Sequence, residues 1–157
     1  MSISPSVRKA QALAIALPAA LLGGAYISQY VFGLFPCELC WWQRYPHFLA
    51  LALALLSFVA PPRQLWIGFA ALAIIGSGVI GGYHAGVEYG WWEGLTACTA
   101  TVDMGANPLD AIMNAPMVRC DQAQWTLFGI SLAGWNFLIS CAGGIAILAL
   151  LGRKRAA

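Results

Sequence analysis

Long apolar runs separated by short charged or turn-forming breaks dominate the chain, at about 11–32, 42–60, 65–84 and 127–151. Each approaches the roughly 20 residues that a helix needs to cross a bilayer, so the pattern predicts four membrane spans. Pro36, with its fixed φ and missing N–H, suits the first turn of a helix. The second helix is therefore expected to begin near Cys37, ahead of its apolar run. The third run carries Gly76-Ser77-Gly78 and Gly81-Gly82, small residues that let helix backbones approach closely where apolar burial gives no driving force. A packed bundle follows. Between the third and fourth runs, 86–126 is the one long external segment, punctuated by Gly105-Ala106-Asn107-Pro108, with a short interfacial helix expected over 109–117. The first run is longer than a signal-peptide core and no small-residue cleavage site precedes Gln29-Tyr30, so it reads as a retained span. The expected fold class is an all-α membrane protein: one integral-membrane domain over 1–157, a four-helix transmembrane bundle with a long external loop between helices 3 and 4.

Composition agrees with that pattern. The 157 residues are 61% hydrophobic and only 9% charged, with mean hydropathy +0.74. A soluble domain carries about 25% charged residues, so this chain lacks the polar surface to face water on all sides. A net charge of +2 from eight Lys plus Arg leaves no basic face for nucleic acid. Arg8, Lys9, Arg63, Arg153, Lys154 and Arg155 fall on one side of the four spans, which the positive-inside rule makes cytoplasmic, together with both termini. All six acidic residues fall on the other side. Trp41, Trp42, Trp91 and Trp92 lie near the outer ends of spans and Trp66 near an inner end, the headgroup levels where indole rings settle.

On this topology Cys37, Cys40, Cys98 and Cys120 map to the outer side, where disulfides persist. Cys141 lies inside the last run and reads as a packing residue. Cys37-Glu38-Leu39-Cys40 is a C-x-x-C at a helix N-terminus, where unpaired N–H groups and the helix dipole favour a thiolate. Arg44 follows Cys40 at i+4 and His47 continues the stripe, so a cation and an imidazole share the cysteine face. Arg44 also has a plainer reading, snorkelling to the headgroups. His84 closes the third run at the same depth as the C-x-x-C. Trp41, Trp42, Tyr45 and Phe48 offer a surface for a flat lipophilic ring or, equally, an aromatic belt. Cys98 and Cys120 can close the external loop as a permanent staple, or serve as a second exchangeable pair that passes a disulfide to the first. Four-cysteine zinc ligation fits less well, because 21 residues between Cys98 and Cys120 are not a compact zinc-ribbon spacing. Electrons leaving two thiols need an acceptor. With no nucleotide or flavin motif in the chain, a quinone diffusing in the bilayer is the natural candidate.

These residues resemble the DsbB family of bacterial inner-membrane thiol oxidoreductases. The likeness runs from Pro36-Cys37-Glu38-Leu39-Cys40-Trp41-Trp42-Gln43-Arg44, through the His84 helix end and the Cys98–Cys120 loop, to Cys120-Asp121-Gln122-Ala123-Gln124-Trp125 and the last span. The resemblance implies a four-helix bundle in the bacterial inner membrane with both termini cytoplasmic and the redox cysteines periplasmic. It also implies that the protein reoxidises a periplasmic thioredoxin-fold dithiol oxidase of the DsbA type and passes the electrons to ubiquinone or menaquinone. Carried over by position, Cys98 forms the mixed disulfide with the partner, Cys120 exchanges with Cys37, and Cys40 faces the quinone. Arg44 and His84 match family residues at the quinone. His47 lies outside the family motif and is placed beside the quinone only by the helical stripe. The loop between Cys98 and Cys120 is shorter than in the best-known members, a departure that fits one dedicated partner.

Three other readings make different demands. A scaffold or small-ligand carrier stapled by disulfides requires all four outer cysteines to stay oxidised whatever the quinone. A metal-binding membrane protein requires stoichiometric zinc and loss of fold with a chelator. The vitamin K epoxide reductase-like family also joins a four-helix bundle to quinone and cysteines, but its C-x-x-C lies late in the chain, whereas here it opens the second span.

Overall fold

A computed structural model of the chain describes residues 4–95 and 119–153. Four helices are found there: α1 (Pro5–Tyr30), α2 (Glu38–Leu56), α3 (Arg63–Glu88) and α4 (Leu132–Gly152). The helix expected over 109–117 lies outside the described residues, as does Cys98. By length and apolarity α1, α3 and α4 are each able to cross a membrane. The 19-residue α2 is more polar, because Glu38, Gln43, Arg44 and His47 occupy its first half.

Local sequence sets the helix ends. Ser4 caps α1 by accepting from the Val7 N–H, with Pro5 in the first turn. Cys37 is itself the N-cap of α2, so Pro36 sits just outside the helix rather than in its first turn. The third helix does not stop at His84: it runs one turn further to Glu88. It ends where Gly90, at φ 70°, turns the chain, with Gly90 N bonding Val87 O at 3.1 Å and Trp91 N bonding Gly86 O at 2.8 Å. That is a Schellman closure, which needs a residue tolerant of positive φ. The apolar run at 127–131, expected as the start of the last span, instead forms an antiparallel hairpin of β1 (Thr126–Leu127) and β2 (Ile130–Ser131). Its two loop residues, Phe128 and Gly129, both have positive φ, the backbone of a tight two-residue hairpin turn. Ser131 then caps α4 through a 3.1 Å bond from Gly134 N.

Small residues govern the packing of α3 on α4. A Cβ on Gly78 would lie 2.7 Å from Cys141 Sγ, and one on Gly81 would lie 2.9 Å from the Ala133 carbonyl oxygen. Gly76 faces open space, so the Gly-rich stripe is an interface at Gly78 and Gly81 but not along its whole length. At one end of the bundle Val7, Ala10, Ala14, Ala50, Ala54, Ile67, Ala70, Ala71, Ile74 and Ile147 form the larger core. A buried bond from Gln11 Nε2 to Ser57 Oγ, 2.7 Å, ties α1 to the end of α2 there. At the other end a smaller cluster of Cys37, Leu39, Val87 and Cys120, flanked by Cys40 and Tyr83, brings the cysteine chemistry together. Large exposed side chains such as Phe48, Leu49, Phe69, Leu72, Val79 and Ile145 cover the outside of the helices. Such a surface suits contact with lipid.

Candidate active site

The site forms where the N-terminus of α2 meets the C-terminus of α3. As N-cap, Cys37 turns its sulfur back over the first turn and accepts from Cys40 N at 3.3 Å. The Cys37 and Cys40 sulfurs are 3.2 Å apart, and both are free thiols. When Cys37 ionises, the Cys40 thiol and the N–H groups of Cys40 and Leu39 stabilise the anion. They hold Cys37 below the usual thiol range against burial and the Glu88 charge, which push it up. The extra turn of α3 carries His84 and Glu88 to the same place: His84 Nε2 lies 3.6 Å from Cys37 Sγ and 3.7 Å from Glu88 Oε1.

Cys120 arrives from the segment before the hairpin and is 1% exposed. It is disulfide-bonded, unlike Cys37, Cys40 and Cys141. The ligand atoms of Cys37, His84 and Cys120 all lie within 4.8 Å of one another. That spacing is small enough for a metal, but a sulfur held in a disulfide is not the thiolate that zinc requires. A thiol, an imidazole and a disulfide sulfur at this range are instead the parts of an exchange reaction. Anchors hold the segment down: Gln124 Nε2 donates to Phe35 O at 2.7 Å, and the Tyr89 hydroxyl donates to Gly129 O at 2.9 Å while accepting from Ser131 N at 3.0 Å.

Next to the sulfurs is a cavity of about 450 Å³ between α1, α2 and α4. Cys37, Cys40, Arg44, His47 and His84 all line it, so the stripe expected from sequence does face one space. Its aromatic lining is Phe35, Trp125 and Trp135. Trp42, Tyr45 and Phe48, for which the sequence left a ring-binding surface and an aromatic belt equally open, are exposed and do not line it, which fits the belt. Arg44 is 6% exposed, yet its guanidinium turns towards α1 rather than onto a cysteine. Nη1 donates to Gln29 Oε1 at 2.7 Å and Nη2 to Ala25 O at 3.2 Å, with the Tyr26 and Trp41 rings at 4.9 and 4.8 Å. Neutral oxygens and ring faces satisfy the fork and leave the positive charge uncancelled beside the cavity.

Two amides that sequence reasoning passed over organise both histidines. Gln43 Nε2 donates to Leu39 O at 3.2 Å, and a backbone carbonyl can only accept, which fixes the amide's orientation. The same nitrogen lies 2.9 Å from His84 Nδ1, which therefore accepts and leaves the ring proton on Nε2, facing Cys37 and Glu88. Asn136 is fixed likewise, its Nδ2 donating to Ser77 O at 3.2 Å and to Gln43 Oε1 at 2.8 Å. Its Oδ1 accepts from Ser140 Oγ at 2.8 Å and from His47 Nε2 at 3.1 Å. His47 thus carries its proton on Nε2, and its buried Nδ1 has no partner among the described residues. The signals were present in the chain: Asn136 is a lone amide within an apolar run, where polar groups mark function or helix contacts, and Glu88 follows His84 at i+4.

Cys141 is half-buried against Gly78, at the α3–α4 contact and away from the other sulfurs, as expected of a packing residue.

An apolar helical bundle carrying a C-x-x-C thiol pair, a neighbouring imidazole and a third sulfur within exchange distance defines a membrane-type thiol–disulfide protein. The family model for disulfide bond formation protein DsbB matches residues 7–150. The chain belongs to the DsbB family, a family of membrane proteins whose name denotes disulfide chemistry. It is 31% identical to a disulfide bond formation protein B of Verminephrobacter eiseniae over 155 residues, covering 90% of this chain and 83% of the relative. Proteins of the same name from Chromohalobacter salexigens and Nitrosomonas eutropha are 29% and 28% identical, covering 93% and 87% of this chain and 88% and 89% of theirs. No solved structure matches.

Proposed function

We propose that the protein is a quinone-dependent thiol oxidase that reoxidises a periplasmic thioredoxin-fold dithiol oxidase of the DsbA type. The observation that carries this reading is the convergence of Cys37, His84 and Cys120 within 4.8 Å, beside the cavity that Cys40 and Arg44 also line. Cys98 and Cys120 form the pair that meets the partner. The partner's dithiol reduces the Cys98–Cys120 disulfide and leaves oxidised. The Cys120 thiolate then attacks the sulfur of Cys37 in a Cys37–Cys40 disulfide, and Cys40 departs as a thiolate. Cys98 attacks Cys120 in turn, restoring their disulfide and releasing Cys37. The result, two thiols at Cys37 and Cys40 with Cys120 in a disulfide, is the redox state of this structure.

The two sulfurs next give two electrons to a quinone, ubiquinone or menaquinone, held in the cavity. A disulfide bond forms between Cys37 and Cys40, and the quinone leaves as quinol with two protons. Arg44 supplies a fixed positive charge near developing negative charge on the quinone oxygen, and His84 presents Nε2–H to the Cys37 anion. The whole chain, 1–157, is one integral domain of the bacterial inner membrane with four spans. In this arrangement α2 spans with Gln43, Arg44 and His47 buried in the bundle, both termini are cytoplasmic and the cysteines are periplasmic.

Trapping tests the route. A reduced partner that keeps only its attacking cysteine should open the Cys98–Cys120 disulfide, release the Cys120 thiolate and, with no second thiol to resolve it, accumulate as a mixed disulfide with Cys98 on a non-reducing gel that vanishes with Cys98→Ser. A complex that persists without Cys98 contradicts the assignment.

A further inference from the structure

The unpartnered nitrogen of His47 is the feature left unused by the exchange route. The ring is 3% exposed, lines the cavity and sits one helical turn beyond Arg44 on the same face. Its Nε2–H is committed to Asn136 Oδ1, an atom that can only accept, and Asn136 is locked by Ser77 and Gln43. A proton can therefore enter or leave this imidazole only at Nδ1. A buried nitrogen without a partner costs free energy unless a ligand completes it, and the residue that carries this one lines the cavity.

Resting on the quinone reading above, we propose that His47 is the proton donor to one oxygen of the quinone, acting through Nδ1, with Asn136 and Gln43 as positioning residues. A quinone oxygen only accepts hydrogen bonds, so it pairs with His47 when Nδ1 carries a proton. A quinol hydroxyl also donates, so it pairs with the neutral ring that remains. The step balances as follows. Two electrons leave the Cys37 and Cys40 sulfurs, the S–S bond forms, one proton comes from the Cys40 thiol and one from His47 Nδ1. Both protons end on the quinol oxygens. The positive imidazole and the negative Cys37 thiolate are both neutral afterwards. His47 regains its proton from those released when the next partner dithiol is oxidised.

The ionisable groups sharing the cavity with His47 are Cys37, Cys40 and Arg44 from the start of α2, His84 and Glu88 from α3, and Arg119 from the segment beside Cys120. The α1 and α4 lining contributes none, and the α4 groups bonded to the ring are Asn136 and Ser140. A pH limb that belongs to His47 must therefore be separated from those of the thiols and of His84, which substitution at 47 does.

The test uses full-length protein in nanodiscs, with Cys37 and Cys40 reduced, mixed with short-chain ubiquinone while quinone absorbance is followed across the histidine range. H47Q keeps an amide N–H for Asn136 and removes Nδ1. Loss of a general acid should slow the quinone step by about a hundredfold. The falling limb of the wild-type pH profile, where the rate drops as rising pH removes the His47 proton, should disappear. Exchange of Cys37 with oxidised glutathione, which needs no quinone, should be unchanged. Equal rates in H47Q and wild type overturn the proposal, as does a slowed rate with the pH profile intact, which is the mark of a packing defect. If H47Q does not fold, the wild type decides: no falling limb and no solvent deuterium isotope effect on the quinone step overturn it. Failure of the wild type to consume any quinone overturns the function as well, so the two failures are distinguishable.

Discussion

Replacing Gln43 with Leu tests the idea that an amide sets the chemistry of Cys37 from a distance. Leu nearly matches the volume of Gln but removes the donor to His84 Nδ1 and the acceptor for Asn136 Nδ2. Asn136 keeps its bonds to Ser77, and Leu39 O keeps its place in the helix, so the group left unsatisfied is His84 Nδ1. One buried orphan costs about 1–3 kcal/mol, enough to free the ring to turn or change tautomer. The Nε2–H then no longer faces Cys37 reliably. A hydrogen bond to a charged group contributes about 1.5–3 kcal/mol, and the 3.6 Å separation argues for the lower end. The Cys37 thiolate should accordingly lose about tenfold in population at neutral pH. The assay is pulsed alkylation of the reduced protein with iodoacetamide, with peptide mass spectrometry assigning the label to Cys37. A Cys37 rate in Q43L within twofold of wild type would refute the reasoning, since it would mean that the imidazole tautomer does not govern the sulfur.

Other outcomes follow from single contacts. Wild-type Cys37 alkylation should rise with pH and level off below the point expected of an ordinary thiol, because its ionised form is the one the helix start and Cys40 stabilise; a plateau at or above that point contradicts the N-cap account. Gly81→Ala should lower stability in detergent by about 1–3 kcal/mol, since the obstacle is the immobile Ala133 carbonyl, while Gly76→Ala, facing open space, should be neutral or slightly stabilising. Equal melting temperatures for the two variants would contradict the proposed α3–α4 seam. Cys141→Ala should leave the quinone-reduction rate unchanged, and loss of activity in a folded variant would make Cys141 a redox cysteine.

Much of the framework is readable from the chain because apolar periodicity and helix caps are local. The start of α2 at Cys37, the placement of α1 and α3, and the shared face of Cys40, Arg44 and His47 all follow from spacing. The hairpin at 126–131 was hidden because Leu127, Phe128 and Ile130 are as apolar as a span, and only the tolerance of Gly129 for positive φ hints at a turn. The direction of the Arg44 guanidinium was also hidden: Gln29 and the Ala25 carbonyl belong to another helix, and no spacing within α2 predicts them. The coupling of His47 to His84 through Asn136 and Gln43 runs across three helices and becomes visible only when they are packed.

The central claim, that electrons pass from a protein dithiol through Cys37 and Cys40 to a quinone, is tested most directly by ubiquinone absorbance over time. The purified protein is mixed with the quinone and a reduced DsbA-type partner, alongside Cys40→Ser, and the run is repeated with menaquinone. The account predicts partner-dependent quinone loss that is abolished by Cys40→Ser. No loss with either quinone, or loss that persists in Cys40→Ser, would contradict it.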